Sequence, residues 1–592
     1  MTRRHFGPLL ARSSVSRLMP LLLAVLVPLA GCTGVPSDSA PLVVRTVDRA
    51  GPATESPSLA APRPGAPPRD IVIDFLAAGV AADGGHSQAR QFLNNAAARK
   101  WQDSTVTVVD GYTVAVATIT GSGATVEVKG RRVGQVDASG VFSPSLKGTG
   151  IGDQETFTYD LTEVDGQWRI DQLQPGVLIK QSDFERTYQA RKLYFFDPSE
   201  TALVPDLRYC ALNGQALGSW LLAALLAGPR PELAQSVVNE VPDQVGQPTV
   251  LDGDPIRVEM PGTSQLDADG RNQLAAQLAY TLAQIRFVPG AQLTLTDSGR
   301  PVVIPAAHGP SFAAVNFSSV GPDSVAPGVQ PYFLRDGAVI SGLDNKPVPG
   351  PANHGLTSMA LRRGSGGDLQ VAAVAGNRFE FGSTKQLVKV RLPAGVLSRP
   401  EWRPHADDVW IGVGTKGAIY RIDRDGTVKQ VSITSPVGGL PPGQVLALRF
   451  SSDGVRLVAV LRAADGALTA WIGSLVTSSS DVRIDSFEPL TPAKLVVSDL
   501  AWADATKLLL VAGAPNDETR VWQVNSDGSA LGALTNIGLP GPPTSIAAAP
   551  QQSPQQSPLV SASNSIWTLQ GSSWTSFTDS TLTLGTNPVY AP

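Results

Sequence analysis

The stretches SRPEWRPHADDVWIGVGTKGAIYRI (398–422), VLALRFSSDGVRLVAVLRAADGALTAWI (445–472) and VSDLAWADATKLLLVAGAPNDETRVWQV (497–524) follow one pattern. Each runs through an apolar segment to an aromatic ring, turns, and returns through further apolar segments to a second ring. The first rings, Trp402, Phe450 and Trp502, lie 48 and 52 residues apart; the second, Tyr420, Trp471 and Trp522, lie 51 and 51 apart. A period of about 50 residues with strand-like runs fits one four-stranded propeller blade, whose faces are buried only by stacking on like units. Weaker copies surround Leu361 and Trp567, so residues 310–592 are expected to form a β-propeller of five to seven blades. An irregular β-sandwich is the rival reading. Pro301, Pro305 and Pro310 mark the boundary before it, and the propeller is expected to fold alone.

Upstream of the repeat the pattern changes. In residues 190–304, Leu193-Tyr194-Phe195-Phe196 reads as a strand. Leu217, Trp220, Leu221, Ala224 and Leu225 form one helical stripe that ends at Gly228-Pro229. Strands are expected at 256–260 and 291–296. Between them a helix over 270–286 carries Leu274, Leu278, Leu282 and Ile285, with Asp269 as its N-cap. In residues 70–185, helical spacing at 71–78 and 88–98 precedes strand-like runs at 104–109, 112–119, 124–130, 155–163 and 166–173. Asp110-Gly111 and Asp165-Gly166 are hairpin turn signals.

The N-terminus is a targeting segment. Arg3, Arg4, Arg12 and Arg17 precede the apolar run LMPLLLAVLVPLA (18–30), which is too short to span a bilayer and reads as an export signal. It ends in Leu29-Ala30-Gly31-Cys32. Thr2-Arg3-Arg4-His5-Phe6 leaves general and twin-arginine export both open. Removing residues 1–31 leaves 43 basic and 51 acidic side chains, a net −8. Residues 32–69 then form a proline-rich tether with a reach of roughly 100 Å, within which Leu42-Val43-Val44 could dock as an edge strand.

Chemistry-bearing motifs are sparse. With no basic excess, nucleic-acid binding is disfavoured. Gly412-Val413-Gly414-Thr415-Lys416-Gly417 lacks the following helix of a dinucleotide site and reads as a blade hairpin. Asp267-Ala268-Asp269-Gly270 lacks the later ligands of a calcium loop. His86, His308, His354 and His405 are not at metal-ligand spacing, and Cys210 reads as a core residue. Asp407-Asp408 reads as a solvated turn. No catalytic residue, metal or cofactor is expected; a Ser–His–Asp set assembled from distant positions stays open.

Several resemblances join these readings. Leu29-Ala30-Gly31-Cys32 resembles the bacterial lipobox, which implies cleavage between Gly31 and Cys32 and a Cys32 carrying N-palmitoyl and S-diacylglycerol groups. Residues 70–185 resemble the cone-shaped NTF2-like fold, with Asp165 to Ile170 as its last hairpin, and residues 190–304 resemble the GerMN domain. Phe450-Ser451-Ser452-Asp453-Gly454 resembles the turn of WD40- and TolB-type blades. In this order and at this length the chain is similar to the actinobacterial LpqB lipoprotein family. The expected fold is therefore multidomain α+β and all-β: an NTF2-like cone, a GerMN-like α/β domain and a C-terminal propeller. The resemblance implies a non-enzymatic protein, lipid-anchored on the extracytoplasmic side of the cell membrane. It further implies action on a sensor histidine kinase of the MtrB/MtrA type in cell-wall homeostasis and division. The alternatives are a wall-glycan hydrolase or lyase with its site in the propeller channel, and a solute-binding lipoprotein using the cone. Nothing in the sequence sets the oligomeric state.

The anchor generates a direct test. Two acyl chains hold a protein stably at a membrane where one does not. Cys32→Ala is expected to leave the chain uncleaved or shed, and membrane fractionation after a high-salt wash reads the outcome.

Overall fold

Six short apolar cores in the C-terminal half explain its period. The computed structural model describes residues 61–592 apart from 82–84, 147–153, 243–245, 287–289, 323–328, 351–354, 365, 438–442, 479–480, 515–516, 550–556 and 579–582. Gly31, Cys32, the expected signal and nearly all of the expected tether, with Leu42-Val43-Val44, lie outside the described residues, as does His354. Among the described residues the propeller has six blades, inside the expected range of five to seven.

Blades II to VI each have four antiparallel strands. Their innermost strands are Ser358–Arg363, Glu401–Trp402, Gly443–Phe450, Val496–Trp502 and Pro543–Ala547. Blade I is built from both ends of the region. Thr586–Ala591 forms its innermost strand and pairs antiparallel with Gln330–Arg335, which pairs with Ala338–Ser341. The ring is thus closed by strand pairing between residues about 250 positions apart. Between each two neighbouring blades lies one core, such as Trp410, Leu448 and Phe450 between III and IV, or Val458, Leu500 and Trp502 between IV and V. The repeating rings serve these interfaces. The indole of Trp402 donates to Ala360 O (3.3 Å), that of Trp502 donates to Arg449 O (3.2 Å), and Phe450 meets Trp410 edge to face at 5.2 Å. Each ring leans on the preceding blade, so the sequence period reports inter-blade packing. Gly412 to Gly417 lie on the hairpin between Asp408–Val413 and Ala418–Asp423.

The middle domain contains helices Gly214–Ala227 and Ala268–Leu282 packed on a sheet in the order Arg300–Pro301, Leu293–Asp297, Ile256–Glu259, Thr249–Leu251. The helix cap is Asp267, not the expected Asp269: Asp267 Oδ1 accepts from Gly270 N at 2.8 Å. The two domain boundaries expected at 304 and 310 also move. Ser311–Phe312 pairs with Leu293–Asp297, and Phe312 and Phe317 fill the middle core, so this domain runs to about residue 320. Proline spacing misplaced the boundary because these prolines lie within the domain: Pro301 on the edge strand, Pro305 at the start of a short 3-10 helix and Pro310 in a bend.

The first domain has helices Pro68–Ala78, Ser87–Arg90 and Asn95–Lys100 on a curved sheet. Its order is Gln167–Gln172, Gln154–Val164, Gly123–Val136, Val106–Thr120, Val177–Lys180. The single helix expected over 88–98 is split: Leu93 bridges Ile170, and the Asn94 side chain caps a new helix through Ala96 N and Ala97 N. Asp110-Gly111 is not a turn. It sits at an irregularity inside the long strand Val106–Thr120, and the chain reverses at Gly121-Ser122 instead. Asp165-Gly166 does form a hairpin turn, both residues having positive φ. Between helix and sheet, Phe75 packs against Trp101 (5.3 Å) and Tyr159 (5.9 Å), so rings occupy this interior.

The strand Leu203–Cys210 joins all three domains, and every residue of it is buried. Tyr209 packs against Phe142 and Phe184 of the first domain, and its hydroxyl meets Ser529 Oγ of blade V at 2.5 Å. Val204 packs with Leu233 and the propeller's Val455, and Arg456 donates to Pro205 O. Asp206 accepts from Arg208 Nη2 (2.8 Å) and Arg230 N (2.9 Å) within the same buried layer. Burial raises the carboxyl of the neighbouring Asp527 above the ordinary range. Two glycines permit the close approach. A Cβ at Gly140 would lie 2.9 Å from Tyr209 O, one at Gly528 would lie 2.7 Å from Pro144, and both have positive φ. All described residues therefore belong to one compact unit.

The expectation that residues 310–592 fold alone is revised accordingly. That fragment would carry Phe312 and Phe317 without the core they fill. Each exposed ring forgoes roughly 1.5–3 kcal/mol. The fragment is expected to aggregate while residues 58–592 stay monomeric, as read by size-exclusion chromatography.

Candidate functional site

The innermost strands converge on the propeller axis, where apolar side chains would be the default filling. Three of these inner segments instead bring charge at intervals of 50 residues: Arg399, Arg449 and Asp499. Asp499 accepts from Arg399 Nη1 and Arg449 Nη2, both at 3.4 Å, and from Ile546 N at 3.0 Å. Arg449 Nη1 also lies 3.5 Å from Glu401 Oε2. Arg399 reaches Met359 O (3.4 Å) and Pro588 O (2.8 Å). This hub therefore touches all six blades. Burial, reinforced by the adjacent Arg449 charge, pulls Arg399 down to about 10, and burial raises Glu401.

Above the hub opens a funnel of about 570 Å³, within the range of small-molecule sites. Its lower wall is apolar, with Leu361, Phe450, Trp502 and Ala547. Its upper wall is formed by the end of the innermost strand Ser358–Arg363, with Arg362 and Arg363, and by turns that follow other innermost strands, with Arg403, His405, Asp407 and Asp504. Arg362 stacks on Trp402 at 4.0 Å and is pinned by Ala406 O (2.6 Å) and Asp407 Oδ1 (2.8 Å). His405 Nε2 lies 3.1 Å from Ser452 O, and Asp504 holds its own turn through Thr506 N and Lys507 N. Ser452 donates to Pro322 O, so the funnel rim also meets the end of the middle domain.

The other residues singled out by sequence are scattered. His86 Nδ1 lies 3.1 Å from Asp103 in the first domain, His308 sits in a turn of the middle domain, and Cys210 is a buried free thiol. Among the described residues no group of His, Cys, Asp and Glu could hold a metal ion. Asp407-Asp408 is only half solvated: Asp408 is buried between Arg403 and Arg421, and burial raises its carboxyl above the ordinary range. The arginines of the funnel escaped sequence reasoning. The available signal was charge recurring at the blade period on otherwise apolar strands.

Fold and funnel define a three-domain β-propeller protein. Residues 61–185 match the family described as the N-terminal domain of lipoprotein LpqB, 192–298 the sporulation and spore germination (Germane) domain, and 338–591 the lipoprotein LpqB beta-propeller domain. Lipoprotein LpqB of Mycolicibacterium smegmatis is 31% identical over 76% of this chain and 79% of its own. That of Rhodococcus jostii is 29% identical over 92% of each. A solved TolB from Acinetobacter baumannii, 12% identical, aligns at a TM-score of 0.26 over 70% of this chain and 78% of its own. The chain belongs to the LpqB lipoprotein family, whose members are envelope-associated. Among the described residues no helix is long and apolar enough to cross a membrane.

The hub can be tested directly. Asp499→Ala leaves two buried guanidiniums without their shared carboxylate, a change that costs about 3–5 kcal/mol. Urea denaturation should show that loss, while Asp407→Ala at the exposed rim should change stability by less than about 1 kcal/mol.

Proposed function

We propose that this chain, held at the outer face of the cytoplasmic membrane by a lipidated Cys32, binds the extracytoplasmic domain of a sensor histidine kinase. It thereby modulates a two-component system governing cell-wall homeostasis and division. The observation that carries this reading is the joining of three domains through Leu203–Cys210, in a member of a lipoprotein family. A body joined in this way offers the middle domain and propeller as one preformed surface, so little ordering entropy is lost on docking. A tether of roughly 100 Å would raise its effective concentration near a membrane neighbour. The net −8 of the processed chain favours a basic patch on that neighbour, with an on-rate that falls as salt rises.

The channel supports binding over hydrolysis. Its carboxylates are engaged: Glu401 by Arg449, Asp407 by Arg362 and Arg424, and Asp504 by its own turn. Calorimetry of the lipid-free mature chain with the kinase domain, paired with autophosphorylation in proteoliposomes, tests the proposal. Binding tighter than about 100 μM and altered phosphorylation are expected. No binding and an unchanged kinase would remove the signalling role, and turnover of wall glycan would replace it with the enzymatic one.

A further inference from the structure

The funnel carries more positive charge than its own carboxylates answer. Five arginines line it against three side-chain carboxylates and the terminal carboxylate of Pro592, which makes no ion pair with any of them. Two of the five, Arg399 and Arg449, are balanced in the hub below. Arg362 is paired with Asp407. Arg403 has only Asp408 at 3.7 Å, which it shares with Arg421, and its Nη1 is buried without an acceptor among the described residues. Arg363 makes no side-chain hydrogen bond or ion pair among the described residues, and its Nε is buried without an acceptor. Its backbone is fixed in place: Arg363 N donates to Pro592 O at 2.8 Å, just past the strand that closes the ring. Two guanidiniums thus face one concave space with incomplete neutralisation, next to a wall of Leu361, Phe450 and Trp502.

Unpaired buried donors are costly and are found chiefly where a ligand or water completes them. A guanidinium offers parallel N–H donors that match the two oxygens of a carboxylate or phosphate. The apolar wall adds affinity for a carbon body attached to that group. We propose that the funnel binds a small organic oxyanion, with Arg363 and Arg403 holding the anionic group and the apolar wall holding its body. The proposal does not depend on the identity of the membrane partner. It makes the protein a receptor for a soluble anionic compound of the envelope, and the site lies where the middle domain meets the rim through Ser452 and Pro322.

The test uses the full mature chain in uncharged detergent and phenyl phosphate as the probe, followed by ligand-observed NMR and calorimetry. Phenyl phosphate is expected to bind about tenfold or more tightly than both neutral benzyl alcohol and inorganic phosphate. Arg363→Gln should weaken phenyl phosphate about tenfold, and Arg363→Gln with Arg403→Gln should abolish saturable binding. Arg378→Gln, an exposed cation at the outer part of blade II, should leave it unchanged. Because Arg403 also faces Asp408, the single Arg363 variant is decisive if the double variant unfolds. Equal affinity for the neutral probe, equal affinity for inorganic phosphate, an unaffected Arg363→Gln, or an equal loss in Arg378→Gln would each overturn the proposal.

Discussion

A propeller must fill its axis, and here the axis is held by one shared carboxylate. Asp499 sits between Arg399 and Arg449, and the two guanidiniums extend the contact to Glu401, Met359 and Pro588 while Ile546 N completes it. Six inner strands meet at a point where none has regular ladder partners across the ring. Charge-assisted hydrogen bonds cross that gap at fixed geometry, whereas apolar side chains would tolerate rotation of one blade against the next. The hub also sets the floor of the funnel, so the cavity above it has a fixed depth and its charge is already balanced below.

The second organising feature is the strand Leu203–Cys210. A strand with one buried face usually serves one domain. This one is buried along its whole length because its residues serve three: Leu203 and Cys210 pack in the middle core, Tyr209 in the first, and Val204 packs with the propeller's Val455. Tyr209 illustrates the economy: its ring belongs to the core of the first domain and its hydroxyl to blade V. The polar atoms introduced into that layer, Asp206, Arg208, Arg230 and Arg456, are mutually paired or bonded to backbone carbonyls. Buried polar groups arranged in this way favour one docking geometry, because any slip leaves them without partners. Rigid coupling of the middle domain to the funnel rim follows from the same contacts, and it places the candidate anion site beside the surface proposed to meet a membrane partner.

Much of this was legible in the chain. Rings at intervals near 50 residues marked the blades, because each ring must pack on the preceding blade and cannot drift. Gly412 to Gly417 was readable as a hairpin from the strand that follows it. The middle-domain helices followed their leucine stripes, since a helix face that packs on a sheet must repeat its apolar residues. Where local signals competed with long-range pairing, the pairing won. Leu93 and Asn94 interrupt a helical pattern to meet Ile170, and Asp110-Gly111 stays extended because both flanking segments pair with one partner strand.

Periodicity, the apolar run 18–30 and the placement of Leu29-Ala30-Gly31-Cys32 are properties of neighbouring residues, and the sequence by itself determined what can be read from them: repeat architecture, a candidate export signal and a candidate anchor. The number of blades, the closing strand Thr586–Ala591, the hub and the funnel depend on residues tens to hundreds of positions apart. Arg363 and Arg403 are ordinary charges in the sequence, and only ring closure turns them toward one cavity. Local interactions leave a trace that can be read along the chain, whereas the convergence of inner strands on one axis exists only after the chain has closed on itself.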